Sequence, residues 1–339
     1  MPEILSQKRK KIIAIVGLAK NVGKTSFLNW YLKKLDVKLG AIGISTTGRD
    51  GEDVDLVTGM QKPKVFLPEN VYFTSFDYVY NKNSSALIGI EKLPFRVLNK
   101  NLWLYKTTEC IETEIVGPST LKEQEALMSL YEKLGCETIL FDGSLDRKSV
   151  CLSGKITDIV LVVGAAVGNI SEIKQQAEKI KLYSEFQYFN FDEIFKTKEF
   201  GIGGEILVNY DNNIIATGLK TIYGNEKEIC DILSKNPKWV YFCGALTDSS
   251  WRLIRQSVLN FRGKIIFYHP LSVSICIEEL KILLERTHLC TSIRFEINTV
   301  VVNSYSPRNE HVDAELLRTE LKRVFIDKEV IDITEVCVS

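Results

Sequence analysis

The chain has 339 residues, of which 45% are hydrophobic and 25% charged, so it can bury a sizeable core and is not intrinsically disordered. Basic and acidic residues number 43 each, so the net charge gives no signature of nucleic-acid or membrane-surface binding. The eight cysteines occur singly, without a C-x-x-C pair, which indicates a reducing compartment rather than a disulfide framework.

The first apolar run, residues 12–16, follows a short basic segment at 8–11. It is too short for the core of a signal peptide and is followed by no small-residue cleavage site, so we interpret it as the first strand. No apolar stretch approaches the roughly 20 residues that a membrane-spanning helix requires. We therefore expect a cytoplasmic protein that binds neither membrane nor nucleic acid.

Strand-like and helix-like segments alternate from residue 11 to about 182. Strands are predicted at 12–16, 41–45, 64–67, 138–141 and 158–163, and helices at 25–35, 120–134 and 171–182. Short β-branched strands separated by helices are typical of a parallel sheet covered on both faces. The more aromatic segment 71–114 is expected to contain hairpins.

A shift in composition near residues 183–204 suggests a boundary. Beyond it, a hairpin is predicted at 205–217, followed by strands at 239–243, 264–268, 298–302 and 330–333 and helices near 248–261, 275–286 and 312–324. The sequence thus predicts an α/β fold with a mostly parallel sheet, a nucleotide-binding domain at 8–190 and a second α/β lobe at 200–339. One extended sheet with an insertion near 185–235 is the alternative.

The loop after the first strand has the composition of a phosphate-binding loop. It ends in Gly23-Lys24-Thr25, and an amphipathic helix follows at once. Backbone N–H groups and a helix N-terminus bind phosphates, Lys24 reaches the β- and γ-phosphates, and the Thr25 hydroxyl can bind Mg²⁺. The nucleotide-binding residues predicted in this loop are Gly17, Ala19, Lys20, Asn21, Val22, Gly23, Lys24, Thr25 and Ser26.

The spacing of this loop is one residue longer than the common motif. Leu18 stands where the first glycine of G-x-x-x-x-G-K-[ST] is expected, and Gly17 gives G-x₅-G-K-T instead. The lengthened loop resembles that of dethiobiotin synthetase and its P-loop relatives. Many members of that branch carry an extra early lysine, but here the corresponding residue is Ala19, with Lys20 beside it.

Acidic residues follow two other predicted strands, at the edge of a parallel sheet where ligands bind. Asp50, Glu52 and Asp53 come after the second strand and are candidates to hold Mg²⁺ or to orient an attacking water. Asp142 ends the apolar run 138–141 in the manner of a Walker B strand, and we predict that it binds Mg²⁺. Lys24, Asp50 and Asp142 are therefore the predicted catalytic residues.

Asn303 closes a late strand and precedes a proline-containing segment. The resemblance to dethiobiotin synthetase implies that it helps to bind adenine; an ordinary turn residue is the alternative. A guanine-specifying N-K-x-D motif is absent, which favours ATP over GTP. Cys243 lacks the flanking pattern of a nucleophile elbow, and the three histidines are dispersed, so neither an amidotransferase nor a metallochaperone GTPase is favoured.

Several segments together are similar to a narrower family. They are 16–26, 43–52, 116–120, 141–147, 243–248 and 302–307. Their order resembles the small P-loop reactivase subunit found with lysine 5,6-aminomutase and ornithine aminomutase. The resemblance implies an ATPase that, with a second reactivase subunit, exchanges damaged cofactor on an adenosylcobalamin-dependent aminomutase.

Two other functions stay open at this point. One is a free-standing ATP-dependent carboxylate ligase or kinase of the dethiobiotin synthetase type. The other is a nucleotide-gated binding module without useful hydrolysis. A homodimer is compatible with each of them.

Overall fold

The computed structural model describes residues 10–35, 41–50, 64–145, 150–191, 204–211, 213–305 and 312–333, with the backbone alone for Arg49, Asp50 and Ser144. The chain divides into two compact units. The first comprises Met1–Ala177 together with Glu296–Ser339, and the second is Glu178–Phe295.

The strands, in chain order, are β1 Lys11–Gly17, β2 Ala41–Thr46, β3 Gly48–Asp50, β4 Val65–Leu67, β5 Val71–Ser75, β6 Leu87–Val97, β7 Lys100–Thr107, β8 Ile111–Thr113, β9 Ile115–Gly117, β10 Cys136–Ser144, β11 Asp158–Gly164, β12 Gln187–Tyr188, β13 Leu207–Tyr210, β14 Asn213–Ala216, β15 Trp239–Phe242, β16 Leu246–Thr247, β17 Lys264–Phe267, β18 Val273–Ser274, β19 His288–Thr291, β20 Ile297–Asn303 and β21 Glu329–Asp332. The helices are α1 Lys24–Lys34, α2 Asp77–Lys82, α3 Leu121–Lys133, α4 Ile170–Ser184, α5 Glu226–Ser234, α6 Asp248–Asn260, α7 Ile277–Arg286 and α8 Ala314–Val324.

The first unit is built on a nine-stranded sheet in the order β21-β20-β11-β1-β10-β2-β5-β7-β6. All neighbours from β21 to β5 pair in parallel, and β7 and β6 add an antiparallel edge. The strand β1 lies between β10 and β11, and six of its seven residues are buried. Its continuous apolar sequence suits a central strand that is covered on both faces. The predicted α/β class with a mostly parallel sheet is confirmed.

The antiparallel edge supplies the hairpin that was predicted in segment 71–114. Strands β6 and β7 are joined at Leu98 and Asn99, whose φ angles are 50° and 61°. Positive φ at both central residues matches the right-handed twist of the strands. The predicted strand at 64–67 forms as β4, but it pairs with β8 in a separate two-stranded sheet.

The predicted domain boundaries, 8–190 and 200–339, need correction at the C-terminus. Strand β20 pairs with β11 and with β21, so residues from Glu296 onward belong to the first unit. The physical reason is that β20 has a strand neighbour on each side and is covered on both faces, so Val300, Val301 and Val302 are fully buried in this sheet. Local periodicity predicted this strand but carries no information about which sheet it joins.

The second unit contains a six-stranded sheet in the order β12-β19-β17-β15-β13-β14. Strands β15, β17 and β19 are parallel, and β13 and β14 form the hairpin predicted at 205–217. Phe191, Trp239 and Tyr241 pack together in its core with edge-to-face rings. The chain therefore forms two α/β units, as the alternating pattern predicted, but the residues are divided between them differently.

Tyr131 ties α3 to the main sheet. Its hydroxyl is buried and donates a hydrogen bond of 2.6 Å to the carbonyl oxygen of Ile44 on β2. We expect Tyr131→Phe to lower the free energy of unfolding by about 1–2 kcal/mol at neutral pH, because a buried carbonyl loses its donor. Urea unfolding of the variant and wild type measures this difference.

The same substitution has a defined pH dependence. Burial raises the pKa of Tyr131 well above its usual range. The unfolded chain therefore ionises first, and this stabilisation is lost as pH rises beyond about 10. The difference between wild type and Tyr131→Phe should shrink at alkaline pH, and a constant difference would contradict the assignment.

Candidate functional site

The loop between β1 and α1 turns through two residues with left-handed backbone conformation. Asn21 and Gly23 have φ angles of 60° and 100°, both in the left-handed region. Asparagine tolerates that region, and glycine adopts it without steric cost. Gly23 is also the N-cap residue of α1, so no side chain of the N-cap occupies the start of this helix. The loop therefore turns sharply and delivers the chain directly into a helix.

The N-terminus of α1 favours the binding of an anion. The first-turn N–H groups of a helix have no partner within the helix, and the helix dipole is positive there. The first turn contains Lys24 and no acidic residue. The Lys24 side chain folds back along the loop, since a β-carbon at Gly17 would lie 3.2 Å from Lys24 Cδ. Thr25 and Ser26 follow in the same turn and are half-buried.

Asp142 lies on the strand next to the loop strand. It pairs with Ile15 of β1 in parallel register, two residues before Gly17. Its side chain is only 3% exposed. Because parallel strands end at the same edge of a sheet, Asp142 and the loop occupy the same edge. The predicted role of Asp142 in binding Mg²⁺ stays a prediction.

Thr47, which contacts Asp142, and Gln124, which contacts Thr47, were not among the predicted site residues. The backbone N–H of Thr47 donates to the carbonyl oxygen of Asp142 at 2.8 Å. The buried Gln124 of α3 donates from Nε2 to Thr47 Oγ1 at 3.3 Å and to the carbonyl of Pro118 at 3.0 Å. The hydroxyl of Thr47 is thereby held near the acidic strand. The adjacent threonines after β2 were visible in the sequence, but their link to a helix 77 positions away was not.

Asn303 contacts the loop between β1 and α1 from a segment near the C-terminal end of the sequence. It is the last residue of β20 and is 8% exposed. Its Nδ2 donates to the carbonyl oxygen of Val22 at 3.2 Å, and its Oδ1 accepts from the N–H of Tyr305 at 3.2 Å. The predicted role of Asn303 in binding adenine stays a prediction. The contact is to the loop backbone.

The acidic residues after β2 are only partly described. The backbone of Asp50 ends β3, which pairs antiparallel with β9. The side chain of Asp50, and Glu52 and Asp53 altogether, lie outside the described residues. Ala19 and Lys20 are in the described loop, where Ala19 is half-buried and Lys20 is exposed.

Two of the predicted Mg²⁺ ligands, Thr25 and Asp142, are among the described residues. In the described ranges, no group of three or more His, Cys, Asp and Glu side chains is arranged to hold a metal ion. Mg²⁺ commonly binds through one or two protein oxygens, with waters and phosphate oxygens completing its shell. The Thr25 hydroxyl and the Asp142 carboxylate are oxygen ligands of this kind. Their chemistry therefore fits Mg²⁺ that arrives with a polyphosphate.

No family model, no curated protein and no solved structure matches the chain. Among the residues that the structure describes, no helix is both long and apolar enough to cross a membrane.

Proposed function

We propose that this protein is a P-loop ATPase of the dethiobiotin-synthetase-like type. The observation that carries the proposal is the loop itself. A central strand ends at Gly17, the chain turns through a left-handed Gly23, and α1 begins at Lys24, with Asp142 on the neighbouring parallel strand. This order places backbone N–H groups, a lysine and a carboxylate at one sheet edge, as phosphate binding with Mg²⁺ requires.

Each residue has a role that follows from its chemistry. The loop amides and the start of α1 bind the phosphates, and Lys24 neutralises charge on the β- and γ-phosphates. Thr25 and Asp142 would hold Mg²⁺, which when bound offsets phosphate charge. Asp50, Glu52 and Asp53 remain the candidates to orient the attacking water.

The biological role that we propose is the one implied by the sequence resemblance. In this role the protein is a cytoplasmic reactivase subunit for an adenosylcobalamin-dependent amino-acid aminomutase, and it acts with a second reactivase subunit. Nucleotide hydrolysis would reorder the acidic segment at residues 50–53 and so change its contact with the partner enzyme. The support is the order of segments from the phosphate loop to residues 302–307.

The test of this role is the ATPase rate with and without the purified aminomutase. A reactivase should hydrolyse ATP slowly alone, and we expect the mutase to change its turnover or its ATP affinity by at least about fivefold, equivalent to about 1 kcal/mol of coupling. No effect of the mutase on either quantity would contradict the role. Turnover of a small carboxylic acid without any protein partner would instead support the ligase or kinase alternative.

A further inference from the structure

The carbonyl of Val22 is the point where three segments of the first unit meet. Asn303 Nδ2 donates to it from the end of β20. Gly164, the last residue of β11, is so close that a β-carbon there would lie 2.8 Å from the same oxygen. The loop, β11 and β20 are thus joined around one peptide group inside the candidate phosphate site.

Gly23 makes room for this arrangement. A β-carbon at Gly23 would lie 2.5 Å from Asn303 Nδ2, closer than real side chains approach. The glycine therefore serves the left-handed turn and also lets the Asn303 amide reach past it to Val22. Both polar atoms of Asn303 are engaged by backbone groups of this chain, Nδ2 by Val22 and Oδ1 by Tyr305.

The planarity of the peptide bond gives this contact a consequence. In a trans peptide the C=O and the following N–H point in opposite directions. Asn303 holds the Val22 oxygen toward β20, and this turns the N–H of Gly23 away from β20. A phosphate-binding loop needs N–H groups on its inner side and carbonyl oxygens on its outer side.

We propose that Asn303 is a positioning residue that fixes the Val22–Gly23 peptide with its N–H facing the phosphates, rather than a residue that reads the adenine base. The inference deepens the proposed function and rests on it. Under this inference, Asn303 increases the affinity for the polyphosphate group of any nucleotide. It does not distinguish one base from another.

The experiment compares binding of ATP, GTP and inorganic tripolyphosphate, each with Mg²⁺, to wild type, Asn303→Ala and Asn303→Leu. We expect all three ligands to bind about 10-fold more weakly to both variants, by a common factor, because the Val22–Gly23 peptide is no longer held in the orientation that binds phosphate. An adenine-reading role predicts instead a selective loss of ATP with unchanged tripolyphosphate binding. That outcome would overturn the proposal.

The chain offers a matched control in the same strand. Asn298 lies near the start of β20, and its Oδ1 accepts a hydrogen bond of 3.0 Å from the N–H of Ile159. Asn298→Ala removes a similar side-chain contact with the backbone, at the opposite end of the same strand. It should leave the affinities for all three ligands unchanged, and thermal unfolding shows whether each variant is folded.

A second readout separates this inference from the proposed function. In the ligand-free protein, Asn303→Ala should lower the NMR order parameter of the Gly23 amide from that of rigid backbone, roughly 0.85, to below about 0.6, since the peptide loses its anchor. An unchanged order parameter would overturn the proposal. If wild type binds none of the three ligands, the proposed function fails, and the order parameter alone decides whether Asn303 anchors this peptide.

Discussion

Replacing Lys24 with alanine should weaken ATP binding roughly 10- to 100-fold and reduce the ATPase rate by more than about 100-fold. The side chain lies along the loop at the start of α1, where its ammonium group can reach the β- and γ-phosphates. The loss is larger for hydrolysis than for binding because charge on the transferring phosphoryl group grows in the transition state. Equilibrium titration and a phosphate-release assay measure the two effects.

The matched control for this substitution is Lys33→Ala. Lys33 belongs to the same helix, and its side chain is exposed in the last turn. Removal of one exposed lysine leaves the loop and the fold unchanged, so binding and hydrolysis should stay within about twofold of wild type. Equal losses in the two variants would show that Lys24 acts through general charge, which is not the role assigned to it.

Asp142→Asn should make ATP hydrolysis roughly 100-fold slower and weaken its dependence on Mg²⁺. Asparagine keeps the shape of the side chain at this buried position but removes the charge that favours a hard cation. Binding of ATP in the presence of EDTA should be retained, because the loop amides and Lys24 are intact. A titration of ATPase rate against Mg²⁺ concentration provides the measurement.

Asp158→Asn is the control for the Asp142 substitution. Asp158 is the first residue of β11, at the end of the strands opposite to the loop. Its Oδ2 accepts a hydrogen bond of 2.6 Å from the hydroxyl of Thr157. Its Mg²⁺ titration should match that of wild type. If Asp142→Asn also gave the wild-type titration, Asp142 would not be a metal-binding residue.

The sequence predicted the central part of the fold because its signals are local. Strands β1, β2, β10 and β11 each contain an apolar run, and α3 follows a typical start signal. Thr120, for example, caps α3 and accepts from the N–H of Glu123 at 3.4 Å. The loop motif could be recognised in the sequence for the same reason, because its strand, turn and helix follow one another directly.

The contacts that complete the site depend on residues that are distant in sequence. Asn303 and Val22 are separated by 281 positions, and Gln124 and Thr47 by 77. Only the strand order of the sheet brings β20 beside β11 and places its end next to the loop. Single-sequence patterns do not encode strand order, so the sequence left open whether β20 joins the first sheet, and the contact of Asn303 with Val22 was not predicted. The acidic residues Asp50, Glu52 and Asp53 remain predictions from sequence.

The central claim is that the loop from Gly17 to Thr25 binds a nucleoside triphosphate. Calorimetric titration of wild type and Lys24→Ala with ATP and Mg²⁺ tests it most directly. We predict saturable binding to wild type at one site, with a Kd of roughly micromolar, and at least about 10-fold weaker binding to Lys24→Ala. No binding to wild type at millimolar ATP, or equal affinity for the two proteins, would contradict the claim.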